Sequence, residues 1–188
     1  MQTVEVIVAV DPGPTESGWC VFDGGRVVDS GIMPNADLLR HLQAGHFQEQ
    51  GCRLAVEMIA SYGMAVGREV FETCVWIGRF VQAWHAPEQA DLVYRRDVKL
   101  HLCGTAKAKD ANVRQAVIDL FPRAGGGKVP QIGTKAAPGP LYGVTSHAWS
   151  ALAVAITARH RRMLARRQQQ PAALQFPSQD LLGASHHA

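Results

Sequence analysis

Long apolar runs are missing from this sequence: no stretch reaches the roughly 18 consecutive apolar residues a membrane-crossing helix requires, and the first residues lack the basic-then-apolar order of a secretion signal. No membrane partner is expected, and the expected compartment is the cytoplasm. Cysteine is sparse. Cys20, Cys52, Cys74 and Cys103 are too scattered for zinc-binding spacing and sit mostly in apolar surroundings, so buried thiols in a reducing compartment are expected and no chemistry is assigned to them. Acids are absent from residues 159–167, where Arg159, Arg161, Arg162, Arg166 and Arg167 carry five positive charges. The whole chain has a net charge of only +3, so its basic character is local. Such a cluster either tracks phosphates or complements the dipole at the end of a helix. What is present, 188 residues of which 47% are hydrophobic, suits one domain with a substantial core.

Three segments carry chemistry. Residues 6–10 form a continuous, mostly β-branched apolar run, as in a strand covered on both faces, and deliver Asp11 into the turn Asp11-Pro12-Gly13. A carboxylate at the end of a buried strand is costly unless paired or metal-bound; the plainer reading is that Asp11 only opens a turn. Leu54-Ala55-Val56-Glu57-Met58-Ile59 is a second apolar run interrupted by one acid with no cationic neighbour in sequence, so Glu57 either needs an outside partner or faces solvent. His147 opens an Ala-rich helix expected from about 146 to 165. A protonated histidine is disfavoured at a helix N-terminus, which suits a neutral, ligand-type imidazole, with a capping or packed histidine as the other reading.

Between these segments the chain reads as mixed α/β. Residues 18–22 and 26–32 flank Asp23-Gly24-Gly25, a strong hairpin signal, so three strands open the fold. A short helix with Leu38 and Leu42 on one face follows. Residues 68–84 form a helix whose apolar stripe is read as Val70, Cys74, Ile77, Val81 and Trp84, with Phe71, Trp76 and Phe80 off it; a second apolar face suits either a partner subunit or the core. Asp91-Leu92-Val93-Tyr94 is a further short strand. Residues 95–114 carry a net charge of +4 through Arg95, Arg96, Lys99, Lys107, Lys109 and Arg114 against Asp97 and Asp110, a surface for a nucleic-acid backbone or simply a solvated face. A helix over 110–121 is expected through Val113, Ala116, Val117 and Leu120. The Gly/Pro-rich segment 122–145 is too long for a plain connector, so it is either functional, folding over substrate, or disordered. Beyond residue 167 a polar tail, 168–188, is expected to be disordered.

Asp11-Pro12-Gly13 with Ser17-Gly18-Trp19, Ala55-Val56-Glu57, Asp97-Val98-Lys99 followed by Gly104 and a Lys-bearing helix, and His147 opening Ala151-Leu152-Ala153-Val154-Ala155 together resemble the RuvC family of Holliday-junction resolvases over residues 4–165. The resemblance implies a ribonuclease H-like fold over 1–167: three antiparallel strands, then alternating strands and helices, in a mixed sheet flanked by helices. It implies a metal-dependent endodeoxyribonuclease of a bacterial or phage-infected cell, acting as a homodimer on branched DNA. Asp11, Glu57 and His147 would be the catalytic and metal-binding residues, holding magnesium or manganese, with two ions expected. Lys99, Lys107, Lys109 and Arg114 would contact DNA, and Tyr62 or Met64 in the loop after Glu57 would wedge or stack at the junction centre; a core role is the other reading of that loop. One position departs from the family. Ser150 stands where the family has a carboxylate, and a neutral hydroxyl is a poor ligand for magnesium. Either water or another acid such as Asp110 substitutes, or the chain binds junctions with weakened or lost cleavage. A nuclease for RNA-DNA hybrids or flaps is a third reading.

Overall fold

The structure is a computed structural model that describes residues 5–45, 47, 51–61 and 63–169. Strand β1 (Ile7–Asp11) pairs antiparallel with β2 (Glu16–Phe22), and β2 with β3 (Val27–Pro34). The hairpin signal at 23–25 holds: Gly24 has a positive φ of 92°, and the Asp23 carboxylate accepts the backbone N–H groups of Gly25 and Arg26. Helix α1 (Asn35–Gln43) leads to β4 (Arg53–Met58), which pairs parallel with β1 on the side away from β2. Helix α2 (Arg68–Ala83) and a short 3-10 turn precede β5 (Asp91–Tyr94), parallel to β4. Helices α3 (Arg95–Cys103), α4 (Asp110–Asp119) and α5 (Ala148–Gln169) complete a five-stranded mixed sheet of order β3-β2-β1-β4-β5.

Strand alternation divides the core between the two faces. Ile7 and Ala9 of β1 join Cys20, Ala55 and Val93 beneath α3, α4 and α5, while Val8 and Val10 join Trp19, Leu54 and Val56 beneath α1 and α2. Both faces of β1 are covered, as its unbroken apolar run predicts. α5 meets the sheet through Ala148, Ala151, Leu152, Ala153, Val154, Ala155 and Ala158, all fully buried or nearly so; the small residues let the helix lie close to β1 and β2.

Three expectations change. On α2 the buried residues are Thr73, Ile77, Phe80 and Trp84, so the stripe is rotated by about one position from the expected one. Phe80 is a core residue, whereas Phe71 and Val75 are more than half exposed. The segment 95–103, read only as a basic stretch, is a helix that packs Val98 into the core and ends on Gly104 in the left-handed conformation (φ 69°). Residues 168 and 169, assigned to a disordered tail, continue α5; residues 170–188 lie outside the described residues.

The long segment 122–145 is folded on itself. Backbone N–H groups of Gly125, Gly126, Gly139 and Leu141 donate to Pro130, Ala137, Ile132 and Gln131, and Leu141 and Val144 are anchored in the core beside α5. Gly139 has to be glycine: a Cβ there would stand 2.3 Å from the Pro130 carbonyl oxygen.

Candidate active site

Because β1, β4 and β5 are parallel, their carboxyl ends share one edge of the sheet, where α/β folds open a crevice. Asp11 ends β1. Val10 pairs with Val56 across the ladder, so the next position sets Asp11 beside Glu57. Glu57 in turn pairs with Val93 of β5, and the chain leaving that strand begins α3 with Arg95. The turn after Asp11 is pinned by Asn35, only 1% exposed. Its side-chain N–H donates to the Gly13 carbonyl at 2.9 Å, its Oδ1 accepts the Ser17 hydroxyl at 2.6 Å, and its backbone N–H donates to Thr15 at 3.0 Å.

His147 arrives from the far end of the sequence. Its carbonyl accepts the Ala151 N–H at 3.1 Å, so it caps α5 instead of sitting in the first turn. Ser146 before it holds a φ of 41°, a left-handed conformation uncommon for a residue with a Cβ. The backbone of His147 lies directly against Gly18 of β2, where a Cβ would stand 2.5 Å from the His147 carbonyl. This approach brings His147 Nδ1 to 3.3 Å from Asp11 Oδ2, with the imidazole still mostly open to solvent.

Glu57 and Asp11 are within hydrogen-bonding reach of each other, and two carboxyls can share a bond only if one carries a proton. Burial and then the Asp11 charge push the Glu57 pKa up to about 8. Burial also raises Asp11, against the opposing pull of Glu57, His147 and Arg95. Glu57 Oε2 is buried and accepts no hydrogen bond from the described residues. An adjacent pair of desolvated carboxylates with an unsatisfied oxygen is a donor set suited to a hard divalent cation. Both acids line a cleft of about 170 Å³ with Pro12, Met58, Ala60 and Arg95.

Asp11 therefore meets both of its expected partners, but pairwise. Among the described residues no three His, Cys, Asp or Glu side chains converge as a ready-made metal cage. Arg95 is the residue that sequence reasoning placed in the wrong role. Its Nη1 is 3.5 Å from Glu57 Oε1 and donates to Ser150 Oγ at 3.4 Å, and its Nη2 donates to Asp110 Oδ1 at 2.7 Å. Burial alone would lower the Arg95 pKa, but Glu57, Asp110 and Asp11 outweigh it and raise it; Arg95 in turn holds Asp110 below the usual carboxylate range. Ser150, the departure from the family pattern, is thus an acceptor for an arginine.

The expected DNA contacts surround this cluster unevenly. Lys99 Nζ lies 3.8 Å from Asp110, Lys107 and Lys109 are exposed ahead of α4, and Met64 is 75% exposed in the loop after Glu57. Tyr62 lies outside the described residues. The Arg114 guanidinium sits over the Trp149 ring at 4.7 Å, in a groove of about 680 Å³ between α4 and the start of α5 that reaches Arg95 and Ser150. The distal arginines are largely paired within the chain: Arg161 with Asp97, Arg162 with Asp91 and Arg166 with Glu5.

No protein-family model and no curated sequence matches the chain. Among solved structures it resembles Thermus thermophilus RuvC, with a TM-score of 0.59 at 20% identity over 84% of this chain and 96% of that one. It also resembles T. thermophilus RuvC in complex with a Holliday junction substrate, with a TM-score of 0.59 at 21% identity over 85% and 96%. The chain has a RuvC-like, ribonuclease H-like fold.

Proposed function

We propose that the protein is a divalent-metal-dependent, structure-selective endonuclease that hydrolyses phosphodiester bonds in branched DNA. The observation that carries this reading is the side-by-side pair of buried carboxyls, Asp11 and Glu57, with an unsatisfied Glu57 oxygen, at the carboxyl edge of a RuvC-like sheet. Asp11 and Glu57 are the residues that would hold the ion. Magnesium or manganese, when bound, supplies a water of lowered pKa and offsets charge on the scissile phosphate. An Nδ1–H of His147 directed at Asp11 leaves Nε2 free to orient the attacking water and take its proton. Lys99, Lys107, Lys109 and Arg114 position the backbone without reading sequence. Met64, exposed in the loop after Glu57, supplies apolar surface at the branch point.

The exposed Phe71 and Val75 on α2 lie on the same side of the sheet as Leu92 and Tyr94 of the edge strand β5, which are also exposed. An apolar surface of this kind supports a homodimer, which gives the two active sites a branched substrate requires.

The test is nicking of a labelled four-way junction. Product with magnesium or manganese, none with EDTA, none from Asp11→Asn and little from a linear duplex is the expected result. Junction binding without product under either metal favours a binding protein, a reading supported by Ser150, whose hydroxyl is engaged by Arg95 instead of replacing the family carboxylate. Preferential cleavage of an RNA-DNA hybrid or a flap at equal salt would replace the branched substrate.

A further inference from the structure

Arg95 occupies an unusual place for an arginine. It is the first residue of α3, where the helix dipole repels positive charge, and its side chain is largely withdrawn from solvent. What holds it there is a convergent set of acceptors from three other elements: Glu57 of β4, Asp110 of α4 and Ser150 of α5. The guanidinium fork suits such a planar, multiply bonded seat. It shares one cleft with Asp11 and Glu57, so an ion in its seat would adjoin an ion held by that pair.

The charges decide what more the site can accept. With a cation in place of the proton that Asp11 and Glu57 share, these two and Asp110 contribute three carboxylates, and Arg95 and Lys99 neutralise two of them. One dication takes the remaining charge from −1 to +1. A second would stand beside the Arg95 guanidinium, with only a neutral hydroxyl and an acid already bonded to Arg95 as ligands.

We propose that Arg95 is a resident cation of this site, seated between Glu57, Ser150 and Asp110 where a second divalent ion would otherwise lie, so that the chain binds one divalent cation, at Asp11 and Glu57, and not two. This rests on the metal-dependent nuclease reading above. It makes Arg95 and Ser150 a matched pair: the serine removes a carboxylate that a second metal would need, and the arginine supplies the charge.

The test counts ions without using activity. Full-length protein is titrated with manganese by calorimetry, with bound manganese followed by electron paramagnetic resonance, and ions that disappear in Asp11→Asn are scored. The expected count is one for the wild type, one for Ser150→Asp alone, in which Arg95 still fills the seat, and two for Arg95→Met combined with Ser150→Asp, with a spin-coupled signal from the ion pair. Two Asp11-dependent ions in the wild type overturn the proposal and leave the nuclease reading standing; this arm needs no variant at Arg95 to fold. A count that stays at one in a folded double variant, verified by circular dichroism, also overturns it. No Asp11-dependent ion in any of the proteins overturns the proposal together with the metal-dependent reading on which it rests.

Discussion

At the scale of single residues, the position of His147 depends on an atom that Gly18 does not have. A methyl group there would overlap the His147 carbonyl at 2.5 Å and its Cβ at 2.7 Å, and these are backbone or near-backbone atoms that cannot swing aside. Gly18→Ala is therefore expected to push the start of α5 away from β2 and lengthen the 3.3 Å contact with Asp11. Overpacking of this kind costs about 1–3 kcal/mol, so the variant should remain folded while junction cleavage falls by about 10-fold or more, since small misplacements of catalytic groups are costly. Cleavage rates compared at matched melting temperature check it, and an unchanged rate would show that His147 does not act through this seat. The meeting of Asp11 with Glu57 and with His147 is legible in the sequence because Asp11 ends one apolar strand, Glu57 interrupts another and His147 precedes an apolar helix, places where a charge or imidazole has no local reason to be. Arg95 is not, because it stands among other cations and its acceptors lie 15 residues away at Asp110 and 55 away at Ser150. A basic residue within a basic run looks like surface until the fold brings acids to it. Asn35 is hidden for a related reason: an asparagine at a strand-helix junction suggests a cap, and only the fold reveals that it holds the Asp11 turn.

Among the elements, α2 shows how a helical period can be read correctly and placed wrongly. The stripes 70-74-77-81-84 and 73-77-80-84 share Ile77 and Trp84, and the first has more apolar members. The second wins because Thr73 can be buried at no polar cost, its hydroxyl donating to the Glu69 carbonyl at 2.8 Å. The two phenylalanines off the expected stripe then separate in consequence. Phe80→Ala removes a fully buried ring and should destabilise the fold by about 3–5 kcal/mol. Phe71→Ser should change the stability of the monomer by no more than about 0.5 kcal/mol and instead weaken self-association. Urea unfolding and sedimentation of the two variants check both arms; a large loss of monomer stability in Phe71→Ser would mean that this face is already covered within the chain. β1, the hairpin, β5, α4 and the body of α5 were legible because their patterns are strong and locally consistent. α3 is not, since only Val98 is fully buried on it and its four charged residues match its four apolar ones in number; its one clear sign is Gly104, a helix-ending glycine.

For the molecule as a whole, the carboxyl pair that makes the site also sets how its stability responds to pH. Glu57 titrates near 4.5 in the unfolded chain and at about 8 in the folded one, raised by burial and by Asp11. The folded state therefore keeps a proton that the unfolded chain releases. This contribution is fully present below about pH 4.5, declines as pH rises and is gone once pH passes about 8. Asp110, lowered chiefly by its bond from Arg95, acts oppositely but is exposed and loses its contribution only in acid. In EDTA the melting temperature is accordingly expected to fall between pH 5.5 and 8, on the order of several degrees for a chain of this size. Magnesium or manganese can replace the shared proton, and ligands that bind only the folded state stabilise it. The stabilisation by metal should therefore grow with pH, small at 5.5 and largest near 8. Asp11→Asn removes the neighbouring charge and one ligand together but leaves Glu57 buried, so it should make the EDTA profile shallower without flattening it and abolish most of the metal effect. Melting curves at four pH values, with EDTA or with metal, for both proteins supply the check. Parallel EDTA and metal profiles in the wild type would mean that the ion does not compete with the proton at these carboxyls, and the pair would then be a structural acid dyad in a nuclease-like fold.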